Sequence, residues 1–422
     1  MYLTREEEKM HSGERGPARE WAMNYLVAYG EALDAESFVE ISSVGCGGIY
    51  IDTLKGVPRD VYRDIVKRRM AVPVYSWCIP DPEQWQEGGF TPEAVEKHRE
   101  LNELSGKLGI HVTGTCANYL VGWIPIFGSH VASDESSQVP YINSVLGARS
   151  NRETLESLLR IGIAGRTPFC GLHTDEERQG NLLVRVDAEL RDASAYAALG
   201  DYVGRIRQES LGVSGDIPVF TGIKGDVRPE YLVGFGASLA TTGNVGLYHL
   251  VGVTPEARTL SEAFQGEKPP EAVTVGEAEM KEAFTQISTQ GPDEIDWVVL
   301  GCPHYTVDQL YQLSKRLEGK KIKKGITFWV LTSPAHREMS KLTGILNTIK
   351  GSGASVLSQC WSILDGLHPE GYVVAATDSP KFAYYAPKIW RATHPGTHVD
   401  VWFGGMEDCV SAALTGKWRE AT

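Results

Sequence analysis

Several features that would assign a protein to a class at once are absent from these 422 residues. No stretch approaches the roughly 18 consecutive apolar residues that a membrane-spanning helix needs, and the first nine residues lack the apolar core of a signal peptide. Lys and Arg number 41 against 54 Asp and Glu, which gives a net charge of -13. Such a charge repels phosphate backbones and anionic lipids. We therefore expect a cytoplasmic protein that binds neither nucleic acid nor a membrane.

Local catalytic motifs are also missing. The chain has no CxxC pair, no HExxH, no GxSxG and no GxxxxGK[ST], so spacing alone identifies neither a zinc site, a hydrolase nor a P-loop. Gly45-Cys-Gly-Gly48 follows a predicted strand, but Tyr50 stands where a dinucleotide-binding loop needs its third glycine. The seven cysteines are odd in number and follow no secretory signal, which argues against a disulfide framework. Free thiols or metal ligands are the better interpretation.

Helical and strand-like segments alternate along the chain, which predicts an α/β protein with mostly parallel sheets flanked by helices. The clearest unit runs through the strands Trp297–Leu300, Ile326–Leu331 and Ala354–Leu357, with helices between them, and resembles half of a doubly wound domain. The polar segment 266–277 is the best candidate for a linker. We expect one region over residues 1–270, which can comprise two subdomains, and a doubly wound domain over residues 278–422.

Ligands of open parallel sheets bind beyond the carboxyl ends of the strands, and three cysteines follow predicted strands. Cys116 follows Ile110–Gly114, and Cys302 and Cys360 follow two strands of the doubly wound unit. Thiolates at these places could converge on one iron or iron-sulfur site. Cys46 and Cys78 also follow strand-like segments, however, and a lone cysteine in such a core is often only a small buried hydrophobe. The residues alone leave both readings open.

The middle of the chain, residues 128–178, is rich in small and polar side chains. It combines amides and arginines, as in Asn143-Ser-Val-Leu-Gly-Ala-Arg149 and Asn151-Arg152, with neighbouring apolar residues. We expect an irregular segment that faces a ligand, and capping or turn chemistry is the alternative.

Many short motifs in collinear order resemble the large, catalytic subunit of aconitase X, a branch of the aconitase superfamily. The resemblance extends over essentially the whole chain, and together the matches are specific. Its clearest motifs are Gly13-Glu-Arg-Gly16, Thr115-Cys116, Glu135-Ser-Ser137, Asn143 to Arg149, Gly165-Arg-Thr-Pro168, Gly171-Leu-His173, His249 to Glu256, Gly301-Cys-Pro-His304, Lys381 to Tyr385 and Gly416-Lys-Trp418.

The resemblance implies a multi-domain, aconitase-like architecture and an iron site held by three thiolates, from Cys116, Cys302 and Cys360. Either an iron-sulfur cluster or a mononuclear iron is compatible with the family. Three protein ligands leave the metal open, as a Lewis-acid dehydratase requires when it binds a β-hydroxy acid through carboxylate and hydroxyl.

The same resemblance implies which residues hold the substrate. They are polar side chains that suit a carboxylate or a phosphate: Ser136, Ser137, Asn143, Arg149, Arg152, Ser379 and Lys381. A salt bridge or a loop anchor is the alternative role for each. The family's catalytic base resembles a serine in a Gly-Arg-Gly-Ser type loop of a separate swivelling domain, and this chain has no such loop. We therefore expect a small swivelling-domain subunit as a partner, with the base supplied from it.

The chain departs from the family's pattern beside the expected ligands. Ser358-Gln359 precedes the third cysteine where Asp-Ser or Asp-Thr is usual, Pro380 replaces a glycine before Lys381, and Ala117-Asn118 replaces Thr-Pro after Cys116. The thiols are retained, so the chemistry is expected to persist with an altered substrate. We slightly favour cis-3-hydroxy-L-proline over mevalonate 5-phosphate, because no compact phosphate cradle is visible.

Two other functions compete with this expectation. A non-catalytic metal-binding or regulatory relative of the same fold is the first, although the acidic net charge speaks against RNA binding. A redox or nicotinamide-dependent activity is the second, and the missing glycine fingerprint disfavours it.

Overall fold

The structure, a computed structural model, describes residues 1–47, 57–76, 84, 87, 90–211, 216–289, 291–363, 372–393 and 396–418. Within those residues the chain forms fifteen short to medium strands. In chain order they are β1 Phe38–Glu40, β2 Val44–Cys46, β3 Val74–Ser76, β4 Ile110–Val112, β5 Ala132–Ser133, β6 Arg166–Pro168, β7 Leu182–Val186, β8 Pro218–Thr221, β9 His249–Leu250, β10 Val273–Val275, β11 Trp297–Tyr305, β12 Thr327–Thr332, β13 Ser355–Leu357, β14 Tyr372–Thr377 and β15 His398–Phe403.

Fifteen α-helices of the described residues pack around these strands. They are α1 Arg5–His11, α2 Pro17–Ala32, α3 Arg59–Arg68, α4 Pro92–Leu108, α5 Val139–Ser144, α6 Leu155–Ala164, α7 Ala193–Leu211, α8 Pro229–Gly243, α9 Leu260–Ala263, α10 Glu277–Ile287, α11 Val307–Leu317, α12 Pro334–Leu342, α13 Ile345–Ser352, α14 Pro380–Thr393 and α15 Met406–Thr415. Helix α1 begins with a capping box, because the Thr4 side chain accepts from the backbone N–H of Glu7 and the Glu7 side chain accepts from that of Thr4.

Three parallel sheets organise the chain, which confirms the predicted α/β class. The strand orders are β4-β3-β2-β5 in the first sheet, β10-β7-β8-β9 in the second and β13-β12-β11-β14-β15 in the third. Every strand pair within these sheets is parallel. The three predicted strands of the doubly wound unit correspond to β11, β12 and β13 of the third sheet. The sheet also contains β14 and β15, for which the sequence analysis gave no strands.

Two details differ from expectation. The chain is not parallel throughout, because β1 lies outside the three parallel sheets and pairs antiparallel with β6. The expected linker 266–277 contains β10, which pairs with β7 at the edge of the second sheet. The division into residues 1–270 and 278–422 stays a prediction.

The segment 128–178 is more regular than predicted. It contains two helices, α5 and α6, and two strands, β5 and β6. Helix α5 is buried at all six of its positions, so its side chains pack against protein. Burial explains why small and polar residues there do not mark a loop.

Aromatic packing fixes the inner face of the third sheet. The Trp297 ring on β11 lies edge-on to Trp329 of β12 and to Phe382 and Trp390 of α14, at centroid distances of 4.8, 5.3 and 5.1 Å. Trp361 stacks on Trp390 at 5.3 Å. Large buried aromatic rings contribute most of the apolar contact area of such a core. These rings pack the inner face of the sheet next to Trp361, which follows β13. No helix among the described residues has the length and hydropathy to cross a membrane.

Candidate active site

A cavity of about 280 Å³ lies where the carboxyl ends of two sheets face each other, and we call it the thiol cavity. The first sheet contributes residues that follow β2, β4 and β5, and the third sheet contributes residues from β11 and from the segments after β13 and β14. Among the residues that line it are Gly47, Cys116, Asp134, Glu135, Ser136, Arg152, Cys302, His304, Cys360, Trp361, Lys381 and Tyr385. Ligands of parallel sheets bind at this edge.

An interruption of β11 brings Cys302 to the cavity. The strand pairs regularly with β12 up to Leu300 and resumes only at Tyr305. Gly301 has φ of +90°, and a Cβ there would lie 2.2 Å from the carbonyl oxygen of Leu331. Only glycine fits this close approach. The residues between form an irregularity in the pairing of β11 with β12, and one of them is Cys302.

All three predicted metal cysteines line this one cavity. Cys116 is buried, whereas Cys302 and Cys360 are partly exposed. The indole N–H of Trp361 donates to Cys302 Sγ at 3.3 Å, and Ser362 Oγ lies 3.0 Å from Cys360 Sγ. The three cysteines therefore line one cavity, and polar groups contact the sulfur atoms of Cys302 and Cys360.

The thiols affect one another electrostatically. Burial raises the pKa of Cys116 to about 12 and also raises the pKa values of Cys302 and Cys360. A charge on Cys302 raises the pKa values of both other thiols further, while the Lys381 ammonium lowers those of Cys116 and Cys302. Three thiolates here would repel one another, and a cation between them would remove that repulsion.

Three soft thiol donors in one cavity are the donor set that suits iron. Within the part of the chain that the structure describes, no three His, Cys, Asp or Glu side chains converge closely enough to enclose an ion as they stand. Binding one metal through Cys116, Cys302 and Cys360 therefore requires the thiols to turn toward a common point. The donor chemistry fits the implied metal, and the assignment of these ligands stays a prediction.

Two of the predicted substrate-binding serines contact the backbone of the cysteines. Ser137 Oγ donates to the carbonyl oxygen of Cys116 at 2.8 Å, and Gln138 Nε2 donates to the same oxygen at 3.1 Å. Ser379 Oγ donates to the carbonyl oxygen of Cys302. Both serines are buried, so their hydroxyl groups hold the cysteine segments in place.

Lys381 lies at the start of α14 and reaches the cavity. Its ammonium pairs with Glu135 Oε1 at 2.5 Å, and the two side chains are exposed by only 15% and 16%. Burial opposes both charges, yet the pair outweighs it, because the pKa of Glu135 is lowered and that of Lys381 is raised. The pair is therefore a fixed cation and a fixed anion beside the thiols.

Three other polar groups complete this side of the cavity. Ser136 Oγ donates to Glu135 Oε1 at 3.0 Å, and Asp134 Oδ1 accepts from the backbone N–H of Gly47 at 2.6 Å. Burial, with the Glu135 charge beside it, raises the pKa of Asp134 to about 7. Arg152 Nη1 donates to Asn244 Oδ1 at 2.8 Å, which anchors the guanidinium at the cavity wall.

Arg149 and Asn143 lie elsewhere. Arg149 donates to the carbonyl oxygen of His173 at 3.0 Å and pairs with Asp175, and it lines a second cavity of about 360 Å³. We call this the arginine cavity, which is lined by Phe127, Arg149, Asp175, Arg178, His249, Pro255, Glu256, Arg258, Glu262 and Gln265. Asn143 is buried, and its amide bonds the backbone of Ser150 and Gly246. The structure does not bring these two residues to the thiols.

Sequence reasoning missed several residues of the thiol cavity. Glu135 belongs to the motif Glu135-Ser-Ser137, but only the two serines were expected to bind substrate. Asp134 precedes it, and both acids follow β5 directly, a position that could have signalled them. His304 and Trp361 lie one or two residues from predicted ligands, and no local pattern marks their contacts.

The other cysteines lie apart from the lining of the thiol cavity. Cys46 and Cys409 are buried, and Cys170 is partly exposed beside Asn151. Cys170 and Cys409 occur as free thiols. Cys78, Gly48 and Tyr50, which entered the sequence analysis, lie outside the described residues.

Comparison with known proteins identifies the family. The model of the aconitase X first domain matches residues 1–176, that of the second domain matches 180–285, and that of the third domain matches 295–415. The crystal structure of Thermococcus kodakaraensis aconitase X in its holo-form superposes with a TM-score of 0.80 at 29% identity, covering 98% of this chain and 100% of that one.

Two curated relatives give the range of named activities. The chain is 36% identical to the phosphomevalonate dehydratase large subunit of Methanothermobacter thermautotrophicus, over 92% of this chain and 94% of the relative. It is 29% identical to the cis-3-hydroxy-L-proline dehydratase of Pseudomonas aeruginosa, over 96% of this chain and 69% of that protein. The chain therefore belongs to the aconitase X family of dehydratases, the hydro-lyases that these relatives' names describe.

Proposed function

We propose that the chain is the large subunit of a two-subunit hydro-lyase that removes water from a small β-hydroxy acid in the thiol cavity. The observation that carries the proposal is the meeting of three cysteines, Cys116, Cys302 and Cys360, with the Lys381 ammonium in one cavity. These thiols are the proposed ligands of an iron-sulfur cluster or a mononuclear iron. When bound, the iron supplies a Lewis acid for the substrate's carboxylate and its leaving hydroxyl.

The chain's own cations orient the acid. An ammonium has three N–H donors, so Lys381 can keep its bond to Glu135 and donate to a substrate carboxylate as well. Among the described residues, Arg152 uses only Nη1 for Asn244 and Ala240, which leaves Nη2 and Nε for a second contact. Fixing the acid in this way supplies the positioning that such a reaction needs.

The proton acceptor is proposed to come from a small swivelling-domain subunit. The relatives named large subunits imply a smaller partner in those enzymes. A subunit that closes over the cavity would exclude water. It would also bring its catalytic serine to the substrate carbon from which the proton is removed. Asp134, with a pKa of about 7, can hold a proton beside the same substrate.

Charge balance favours an amino acid substrate. The described lining contains two cations, Lys381 and Arg152, and one fixed anion, Glu135. It also contains Asp134, which is partly ionised at neutral pH because its pKa is raised to about 7. A zwitterion such as cis-3-hydroxy-L-proline matches this arrangement, since its carboxylate can meet the cations and its ammonium the acids. The charged groups of mevalonate 5-phosphate are all negative, so the carboxylates of the cavity would repel them. The higher identity to phosphomevalonate dehydratase keeps that acid as the second candidate.

The test is anaerobic purification of the chain with its small subunit, followed by iron and sulfide analysis, an absorption spectrum and assays with both acids. We expect iron bound through thiolates and release of water from cis-3-hydroxy-L-proline. Turnover of mevalonate 5-phosphate alone would reverse the substrate choice. Bound iron with turnover of neither acid would favour another β-hydroxy acid or the non-catalytic relative, and absence of iron would contradict the proposed site.

A further inference from the structure

One buried imidazole joins the three chain segments that carry the cysteines of the thiol cavity. His304 lies two residues after Cys302. Its Nδ1 is 3.0 Å from Thr115 Oγ1, and its Nε2 is 3.2 Å from the carbonyl oxygen of Gln359. Thr115 immediately precedes Cys116, and Gln359 immediately precedes Cys360. The imidazole therefore contacts the neighbour of each of the other two cysteines.

The hydrogen-bond partners fix the tautomer of the ring. A carbonyl oxygen can only accept, so Nε2 carries the proton and donates to Gln359. Nδ1 is then an acceptor, and the Thr115 hydroxyl donates to it. Thr115 Oγ1 in turn accepts from the backbone N–H of Ala117 at 3.1 Å. Each group in this chain of bonds has a complementary partner.

A third contact involves the backbone. The backbone N–H of His304 donates to the thiol of Cys116. His304 is only 3% exposed, so water does not compete strongly for these bonds. The partners are 189 and 55 residues away in sequence. Bonds over such separations hold segments from two different sheets in a fixed register.

We propose that His304 is a positioning residue that fixes the relative positions of the three thiols by joining the backbone segments that carry them. The role in metal binding rests on the proposed function, whereas the contacts that join the three segments are hydrogen bonds of the structure. Residues that orient metal ligands typically change metal affinity by roughly 10- to 100-fold when they are replaced. A mainly structural residue would lower the melting temperature without a specific effect on the metal.

The test titrates the full-length chain with Co²⁺ under anaerobic conditions and follows the absorption of cobalt bound to thiolates. We expect His304→Gln to bind Co²⁺ about 10- to 100-fold more weakly. The glutamine side chain can form the bond to Thr115 or the bond to Gln359, but not both together. His249→Gln is the matched control, since His249 is 2% exposed and donates through Nε2 to a backbone carbonyl in the arginine cavity. Its Co²⁺ affinity should equal that of the wild type.

A second pair of variants keeps the test decisive if His304→Gln does not fold. Thr115→Val removes the hydroxyl that donates to Nδ1 and should weaken Co²⁺ binding, whereas Thr115→Ser restores the hydroxyl and should restore affinity. Unchanged affinity and an unchanged cobalt spectrum in His304→Gln and Thr115→Val would overturn the proposal. Equal losses in His249→Gln would also overturn it.

Failure of the metal site itself is distinguishable. If the wild-type chain gives no thiolate absorption with Co²⁺, the proposed function fails, and dibromobimane, which joins two nearby thiols, then tests the metal-free chain. We expect peptide mass spectrometry to find cross-links among Cys116, Cys302 and Cys360 in the wild type and fewer of them in His304→Gln. Equal cross-linking in both proteins would contradict the positioning role.

Discussion

Both cavities contain paired charged side chains, but they differ in what those side chains contact. In the arginine cavity, Arg178 pairs with Glu256 and donates to three backbone carbonyl oxygens, while Arg149 pairs with Asp175. In the thiol cavity, the Lys381–Glu135 pair stands beside three free thiols. Charged residues thus indicate a candidate ligand-binding site only where some of their hydrogen-bond donors or acceptors remain available to a ligand in the cavity.

The largest expected effect is loss of the metal. Cys302→Ser should abolish iron binding and lower activity by more than the roughly 10- to 100-fold that is typical of changes around metal ligands. Cys170→Ser is the control, because Cys170 lies outside the thiol cavity. Iron analysis and turnover on both variants measure the effect. Normal iron content in Cys302→Ser would contradict the proposal that the thiol cavity, unlike the arginine cavity, binds iron through its cysteines.

The next effect concerns stability. Lys381→Met leaves the Glu135 carboxylate buried without its ion pair, and we expect the free energy of unfolding to fall by about 3 kcal/mol. The double variant with Glu135→Gln should recover most of that loss without recovering activity. Lys417→Met, which removes an exposed pair with Glu294, should cost less than about 1 kcal/mol. Denaturant unfolding compares them, and equal losses from both lysines would refute the expectation.

A pH effect should arise behind the arginine cavity. Burial, together with the charges of His130, Arg178 and Arg149, lowers the pKa of His173 to about 3. The unfolded chain therefore binds this proton near pH 6.5 and the folded chain does not, so stability falls as the pH drops below 6.5. By pH 5 the loss is about 2 kcal/mol, since one pKa unit corresponds to about 1.4 kcal/mol.

Unfolding measured from pH 7.5 to pH 5 checks this value. His173→Gln should show a decline smaller by about 2 kcal/mol than the wild type. His11→Gln, at an exposed position of α1, serves as the control and should retain the wild-type decline. An unaltered decline in His173→Gln would mean that the folded protein protonates His173 as readily as the unfolded chain does.

The smallest effect on activity is expected at Arg149. Arg149→Met should lower stability by about 1 kcal/mol and leave kcat/KM nearly unchanged, because its bonds lead to His173 and Asp175. Arg152→Met, from the thiol cavity, should instead raise KM by roughly 10-fold through loss of a charge-assisted contact. Steady-state kinetics on the pair decides between them. A large loss of kcat/KM in Arg149→Met would restore Arg149 as a substrate residue and contradict our comparison.

Much of the fold could be predicted from periodicity and caps. Three strands of the third sheet were predictable because the segments Trp297–Leu300, Ile326–Leu331 and Ala354–Leu357 are mainly apolar. Helices α11 and α12 were predictable because they begin after the capping residues Thr306 and Ser333. The segment 128–178 contains more helix and strand than predicted, since its buried polar residues satisfy their bonds through long-range contacts that leave no local pattern.

The candidate site was predictable only in part. Six residues that the family resemblance implied line one cavity: Cys116, Cys302, Cys360, Lys381, Arg152 and Ser136. Their roles as metal ligands and substrate contacts stay predictions. Ser137 and Ser379 were expected at the substrate, and the structure shows them bonded to the cysteine backbones. A serine hydroxyl bonds equally well to a ligand or to a carbonyl oxygen, so residue type does not distinguish these roles.

By itself, the sequence determined the α/β class, the strand ends that carry the cysteines and the acidic charge, because these follow from local periodicity and composition. Only the tertiary structure decided which polar residues face the thiols. Lys381 reaches Glu135 across 246 residues, and His304 reaches Thr115 across 189. Such contacts depend on how two sheets meet, and no short-range pattern in the chain encodes that arrangement.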